Sequence, residues 1–160
     1  MRRKLRTRSM DLCYSAAHDI LSPAGFITAL ILVLRLCVGG CLYMAPVCSS
    51  WVWINRSTSG RKPWEPNGDI SKLYVRQGNE MMSRVAFLAY VAFCRGCHFF
   101  IEQPMSSLVR FYGRFIWLCR RVKKVLVTHA RAKGVSCLGK ISMTILMIRG
   151  RILQATAACF

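Results

Sequence analysis

Acidic residues are scarce in this chain. Six Asp and Glu stand against 24 Lys and Arg over 160 residues, a formal net charge of +18. No acidic residue follows Glu102, yet eleven Lys or Arg do. So few carboxylates cannot offset the basic field within the chain. Such a field favours polyanions: DNA, RNA or an anionic membrane surface. Charge alone says nothing of fold, and an unselected or decaying reading frame can also be basic, so a non-functional gene remnant is one reading of the chain.

Other absences narrow the class. The nine cysteines are odd in number, and their spacings suggest no disulfide framework. No charged n-region, apolar h-region and small-residue cleavage site line up as a secretory signal. Reduced thiols and an intracellular setting, nuclear or cytoplasmic, follow as the simpler expectation. The glycosylation sequon at Asn55-Arg56-Ser57 matters only in a secreted chain. No internal repeat is present. No second C-x-x-C or H-x-H exists to complete a metal site with Cys94, Cys97 and His129, so no metal is expected. Cys94-Arg95-Gly96-Cys97-His98 fits the C-x-x-C-H pattern of haem attachment, but it reads equally as two core cysteines around a helix-ending glycine.

Uninterrupted apolar runs of membrane length are also missing. Residues 26 to 44 and 85 to 101 are strongly apolar, but Arg35 and Arg95 interrupt them, and the first carries Gly39-Gly40. A spanning helix needs about 20 mostly apolar residues, and a central Arg costs a few kcal/mol. Both stretches divide better into a buried helix followed by a buried strand. A small basic membrane-associated protein with one or two apolar helices is the alternative.

What remains is 54% hydrophobic, enough for a core. Ser22-Pro23 suits a helix start, with Ser22 as cap. The helix then covers about Ala24 to Leu36 and stops near Gly39-Gly40. Cys41 to Ala45 reads as a wholly apolar strand of the kind covered on both faces. A polar loop with Trp51, Trp53 and Trp64 fills residues 46 to 68. Asp69 or Ser71 is placed to cap the next helix, which ends near Cys94 and carries Val75, Met82, Val85, Leu88 and Ala89 as its apolar stripe. Cys97 to Ile101 is a second strand, a short helix follows from about Ser106, and residues 122 to 128 are a candidate strand. Helix, strand, loop, helix, strand, loop, helix is the order of a parallel α/β unit. The expected organisation is a basic N-terminal arm (1–18), an α/β domain (19–129) and a basic tail (130–160).

Two positions carry candidate chemistry. Cys48 lies just past the first strand, where α/β folds place catalytic groups. Glu102 lies at the end of the second. A thiol nucleophile beside a carboxylic acid suits attack on an electron-poor ring. The bland counterpart is one loop cysteine among nine and a surface carboxylate. Arg56, Arg61, Lys62 and Trp53 offer charge and a stacking ring for nucleic acid, although tryptophans beside apolar strands more often serve packing.

The run APVCSSWVWINRSTSGR at 45–61, then Pro66 and Gly68, YVRQGNEMMSRVAFL at 74–88 and FFIEQPMSSL at 99–108 resemble an uncharacterised family common in protist genomes. Its members carry a Pro-Pro-Cys-Ser element, an Arg-bearing Ser/Thr/Gly loop, a Gly-Asn or Ala-Asn helix start, and Glu-Gln-Pro or Glu-Asn-Pro. That layout is similar to the cytosine-C5 DNA methyltransferases, across roughly residues 19 to 118. The resemblance implies a partial Rossmann-like methyltransferase unit. In it Cys48 attacks C6 of the base, Glu102 holds or protonates the ring at N3, and Arg56 and Arg61 position nucleic acid. Val47 stands where the second proline is usual, and Gln103 where the methyltransferases carry Asn. The S-adenosylmethionine site of such enzymes follows a strand and a Gly-rich turn. Residues 1–20 contain no glycine, and Gly39-Gly40 precedes a strand instead of following one. No cofactor is therefore expected for this chain, and the expected state is a catalytically inactive fragment.

Overall fold

The computed structural model describes residues 6 to 132 and a two-residue strand at Met147–Ile148. Arg2, Arg3 and Lys4 of the basic arm, and most of the 130–160 tail, lie outside the described residues.

Helix α1 (Pro23–Leu34) begins as its sequence dictates. Pro23 occupies the first turn, and the Ser22 hydroxyl accepts from Gly25 N–H at 2.9 Å. Gly39 takes the left-handed conformation that turns the chain. Strand β1 (Cys41–Met44) follows. The loop beyond it holds a 3-10 turn at Trp53–Asn55 and a single helical turn, α2 (Arg56–Ser59). Helix α3 (Leu73–Cys94) returns the chain to strand β2 (His98–Ile101). Strand β3 (Gln103–Pro104), a 3-10 turn at Leu108–Phe111 and helix α4 (Gly113–Ala132) complete the main body. Met147–Ile148 (β4) pairs with β3 in parallel.

The protein is thus a mixed helix and strand structure with a small parallel sheet. β1 and β2 are hydrogen-bonded neighbours, with Cys41 opposite His98 and Met44 opposite Ile101. The two apolar stretches do divide into helix and strand, and no helix among the described residues is long and apolar enough to cross a membrane.

α3 organises the core. Met82, Val85, Ala86 and Ala89 pack with Phe115, Leu118 and Val122 of α4 and with Trp51. Leu88 and Ala92 meet Ala29 and Val33 of α1. Each buried Val or Leu side chain contributes on the order of 1.5–3 kcal/mol. Arg84 on α3 secures the entry to α1 by donating to Ile20 O at 2.6 Å and Ser22 O at 3.0 Å.

Three expectations need correction. Residues 122–128 are helical, not a strand: they continue α4, whose Phe115, Leu118 and Val122 are buried at a spacing of three to four residues. β1 is not covered on both faces, because its sheet has two strands and Tyr43 faces outward, 50% exposed. Neither Asp69 nor Ser71 caps α3; Asp69 Oδ1 instead accepts from Ser71 N–H and its hydroxyl, and the cap residue is Lys72. Gly78-Asn79, the counterpart of the resembled family's helix-start element, lies in the second turn of α3.

Candidate functional site

The sheet register brings the two candidate residues to one edge. β1 and β2 run parallel, so the segments after Met44 and Ile101 leave the same end. The ladder extends one step further, because Glu102 N–H donates to Met44 O at 2.8 Å. Cys48 lies four residues past Met44, and Glu102 directly follows Ile101.

Gln103 fastens these two segments together. Its side chain is 3% exposed. Nε2 donates to Pro46 O at 2.9 Å, two residues before Cys48, and Oε1 accepts from the Ser107 hydroxyl at 3.0 Å. A buried amide with both ends bonded is a rigid tie. Leu108 N–H also donates to Trp51 O at 2.8 Å. The Cys48 loop and the Glu102 loop therefore form one hydrogen-bonded unit.

The Cys48 carbonyl accepts from Trp51 N–H at 2.8 Å and Val52 N–H at 3.1 Å. This tight turn drives Trp51 into the core and leaves Cys48 half-buried. No hydrogen bond or ion pair engages the Cys48 thiol among the described residues.

Glu102 has a partner that sequence reasoning missed. The Tyr43 hydroxyl donates to its carboxylate. That bond, then burial, then the nearby negative charge push the Tyr43 hydroxyl up to about 12. The signal was recoverable from register: Tyr43 lies opposite Phe100, so Glu102, two residues on, is its diagonal neighbour on the same face.

Arg61 is the main correction at the site. It is fully buried and its donors are all committed. Nε donates to Ser50 O at 2.9 Å, Nη1 to Pro66 O, Asn67 O and Asn79 Oδ1, and Nη2 to Ser50 Oγ and Val75 O at 3.1 Å. A guanidinium has five N–H groups, and none is left for a phosphate. Its carbon lies 3.4 Å from the Trp51 ring centroid. Burial lowers its pKa to about 10, still well above neutral, so the group is charged at pH 7.

Small residues make room for this cation. A Cβ on Gly68 would sit 2.6 Å from Ser59 O and 2.7 Å from Arg61 Cγ, and one on Gly78 would sit 2.4 Å from Ser50 Oγ. Ser50, Arg61, Gly68, Gly78 and Asn79 belong to the motif segments, and together they build one buried polar knot beneath the loop.

The other basic candidates remain on the surface. Arg56 is exposed, with its guanidinium 4.4 Å from the centroid of the Trp53 ring. Lys62 is exposed, 6.0 Å from the centroid of Trp64. Trp53, Ile54, Arg56, Ser57 and Ser106 line an open cavity of about 480 Å³.

The C-x-x-C-H segment is divided between elements. Cys94 ends α3, while Cys97 is buried with its sulfur 3.2 Å from Cys37 O. No group of His, Cys, Asp or Glu among the described residues is arranged to hold a metal ion. Comparison of the chain with protein-family models, curated proteins and solved structures returns no match.

Proposed function

We propose that this chain is a nucleic-acid-associated protein with a Rossmann-like unit of the cytosine-C5 methyltransferase type, and that the isolated chain does not catalyse methyl transfer. One observation carries the reading: Cys48 and Glu102 leave the same end of two hydrogen-bonded parallel strands, and Gln103 ties their segments together. Such strand ends are where α/β folds assemble their chemistry.

The reaction in question needs three groups. A thiolate adds to the ring, an acid stabilises the adduct, and a methyl donor stands over it. Cys48 and Glu102 supply candidates for the first two. Glu102 already accepts from Tyr43, which supports a hydrogen-bonding carboxylate at that edge. For the third group, residues 1–20 contain no glycine, and Gly39-Gly40 precedes β1 instead of following a strand as a donor-site turn would. An unbound donor contributes nothing to proximity. The net charge of +18 supports association with polyanions through counterion release.

Two measurements on the purified chain test this. Labelled DNA should bind with little sequence preference and weaken steeply as salt rises; affinity unchanged between low and physiological salt overturns the nucleic-acid assignment. Calorimetry with S-adenosylmethionine should give no binding isotherm. Saturable donor binding, or label incorporated into DNA and lost in Cys48→Ala, overturns the inactive assignment and makes the chain an enzyme.

A further inference from the structure

We propose that the cavity lined by Trp53, Ile54, Arg56, Ser57 and Ser106 is a subsite for one unpaired base of a nucleic-acid strand, with Trp53 as its stacking ring and Arg56 as its phosphate contact. This rests on the nucleic-acid reading above and adds the kind of strand that the site takes.

The first ground is the fate of two tryptophans in one short segment. Trp51 is fully buried and packs edge-on to Tyr112, with ring centroids 5.0 Å apart. Trp53, two residues on, is 44% exposed, and its neighbour Ile54 is 83% exposed. Core packing accounts for the first ring and not for the second. A large ring at the wall of an open cavity of about 480 Å³ is a surface on which a flat, apolar-faced ligand can stack. That volume is within the usual range for small-ligand clefts, roughly 300–1,000 Å³.

The second ground is charge. Arg56 sits over Trp53 at 4.4 Å from the ring centroid. The ion pairs found among the described residues are Lys72 with Asp69 and Arg84 with Glu80, and neither involves Arg56. Its positive charge is therefore available to an incoming anion. An aromatic ring, a guanidinium and two serine hydroxyls in one cavity match the chemistry of a nucleotide: a π-face, a phosphate, and edge acceptors and donors. Lys62 beside Trp64 repeats the basic and aromatic pairing further along the same loop.

The third ground is rigidity. The Trp53–Asn55 turn is anchored by Asn55 Nδ2 donating to Ser49 O at 2.7 Å and by Asn55 N–H donating to Val52 O at 3.0 Å. Val52 bridges to Ser107, next to the cavity-lining Ser106. The platform is thus fastened to the same segments that carry Cys48 and Glu102. Bases inside a duplex are stacked on one another and expose no face to such a ring, so the ligand must be single-stranded or locally unpaired.

The test compares a short fluorescein-labelled oligothymidylate with a blunt duplex of equal length, titrated with the full chain at fixed salt. Trp53→Ala should weaken the single strand about fivefold to a hundredfold, the span of one lost base stack, and leave the duplex within about twofold. Trp53→Tyr should retain most of the single-strand affinity. Arg56→Gln should weaken both probes and reduce the salt slope by about one. Equal loss on both probes, or no loss on either, in a Trp53→Ala chain that unfolds at the same urea concentration as the parent overturns the subsite alone. Failure of the unaltered chain to bind either probe overturns the nucleic-acid reading itself.

Discussion

Replacing Arg61 should destabilise the fold strongly without removing a group that could contact a phosphate. In Arg61→Met the side chain keeps its approximate length and loses every donor. Ser50 O, Pro66 O, Asn67 O, Val75 O and Asn79 Oδ1 would then be left without the guanidinium. Each orphaned buried acceptor costs about 1–3 kcal/mol, and the terms do not add in full because the loop relaxes. Losing the cation's attraction to the Trp51 ring, 3.4 Å from its centroid, adds to this. A net loss of about 3–5 kcal/mol is expected, comparable to breaking a buried charge network. Domains are stable by only about 5–15 kcal/mol. With a urea slope of about 2 kcal/mol per molar, the midpoint falls by about 2 M. Arg61→Lys should be nearly as damaging, since three donors on one nitrogen cannot reach acceptors spread around a planar fork. Urea denaturation followed by tryptophan fluorescence gives the answer. A midpoint within about 0.3 M of the parent, together with a shallower salt dependence of DNA binding, would show that Arg61 contacts phosphate and that the buried knot is wrongly drawn.

Three further outcomes are expected. Gly78→Ala should destabilise by about 1–3 kcal/mol in thermal or urea unfolding, because its Cβ would lie 2.4 Å from Ser50 Oγ; stabilisation by about 1 kcal/mol, the ordinary helix preference for Ala, would mean the contact is not there. Spectrophotometric titration should find one tyrosine ionising near 12, and Glu102→Gln should return it towards 10. Because the folded form holds that proton after the unfolded chain has released it, stability should fall as pH rises from about 10 to about 12, and Tyr43→Phe should remove this contribution. Gln103→Leu should cost about 1–3 kcal/mol by leaving Pro46 O without its donor and the Ser107 hydroxyl without its acceptor, and should speed amide exchange at Trp51 and Leu108; unchanged exchange there would rule out the tie.

The parts of the fold that repeat a local rule were legible in the sequence. Ser22-Pro23 started a helix, the glycine near 39 ended its approach to β1, and the five stripe residues of α3 are buried or packed as the 3.6-residue period requires. The pairing of β1 with β2 followed from two apolar segments joined by a helix. What was not legible depends on contacts between distant segments. Arg61 beside Lys62 looks like a surface pair, and only the convergence of Ser50, Ser59, Gly68 and Gly78 from three segments encloses it. Those small residues are the usable trace, since a buried guanidinium needs neighbours without bulk. Gln103 looked like a departure from a motif, whereas its extra methylene reaches Pro46 from a buried position. Residues 122–128 misled because Val and Thr favour strands locally, whereas the helix begun at Gly113 continues through them.

A parallel sheet of four residue pairs cannot fix a site by itself. The loops beyond it must do so, and they do it with polar groups placed inside the protein. Arg61 holds the Cys48 loop from below, Gln103 joins it to the Glu102 segment, and Trp51 presses the turn into the core. The strongly basic composition therefore divides into two kinds of charge with different behaviour. Arg61 is shielded from the solvent and its energetic role is insensitive to salt, because screening acts weakly on buried groups. Arg56 and Lys62 are exposed beside aromatic rings, where screening and counterion release act in full. Affinity for DNA should thus report exposed cations such as Arg56 and Lys62, and not Arg61. The slope of log affinity against log salt counts them directly, at about 0.9 per phosphate neutralised on a duplex.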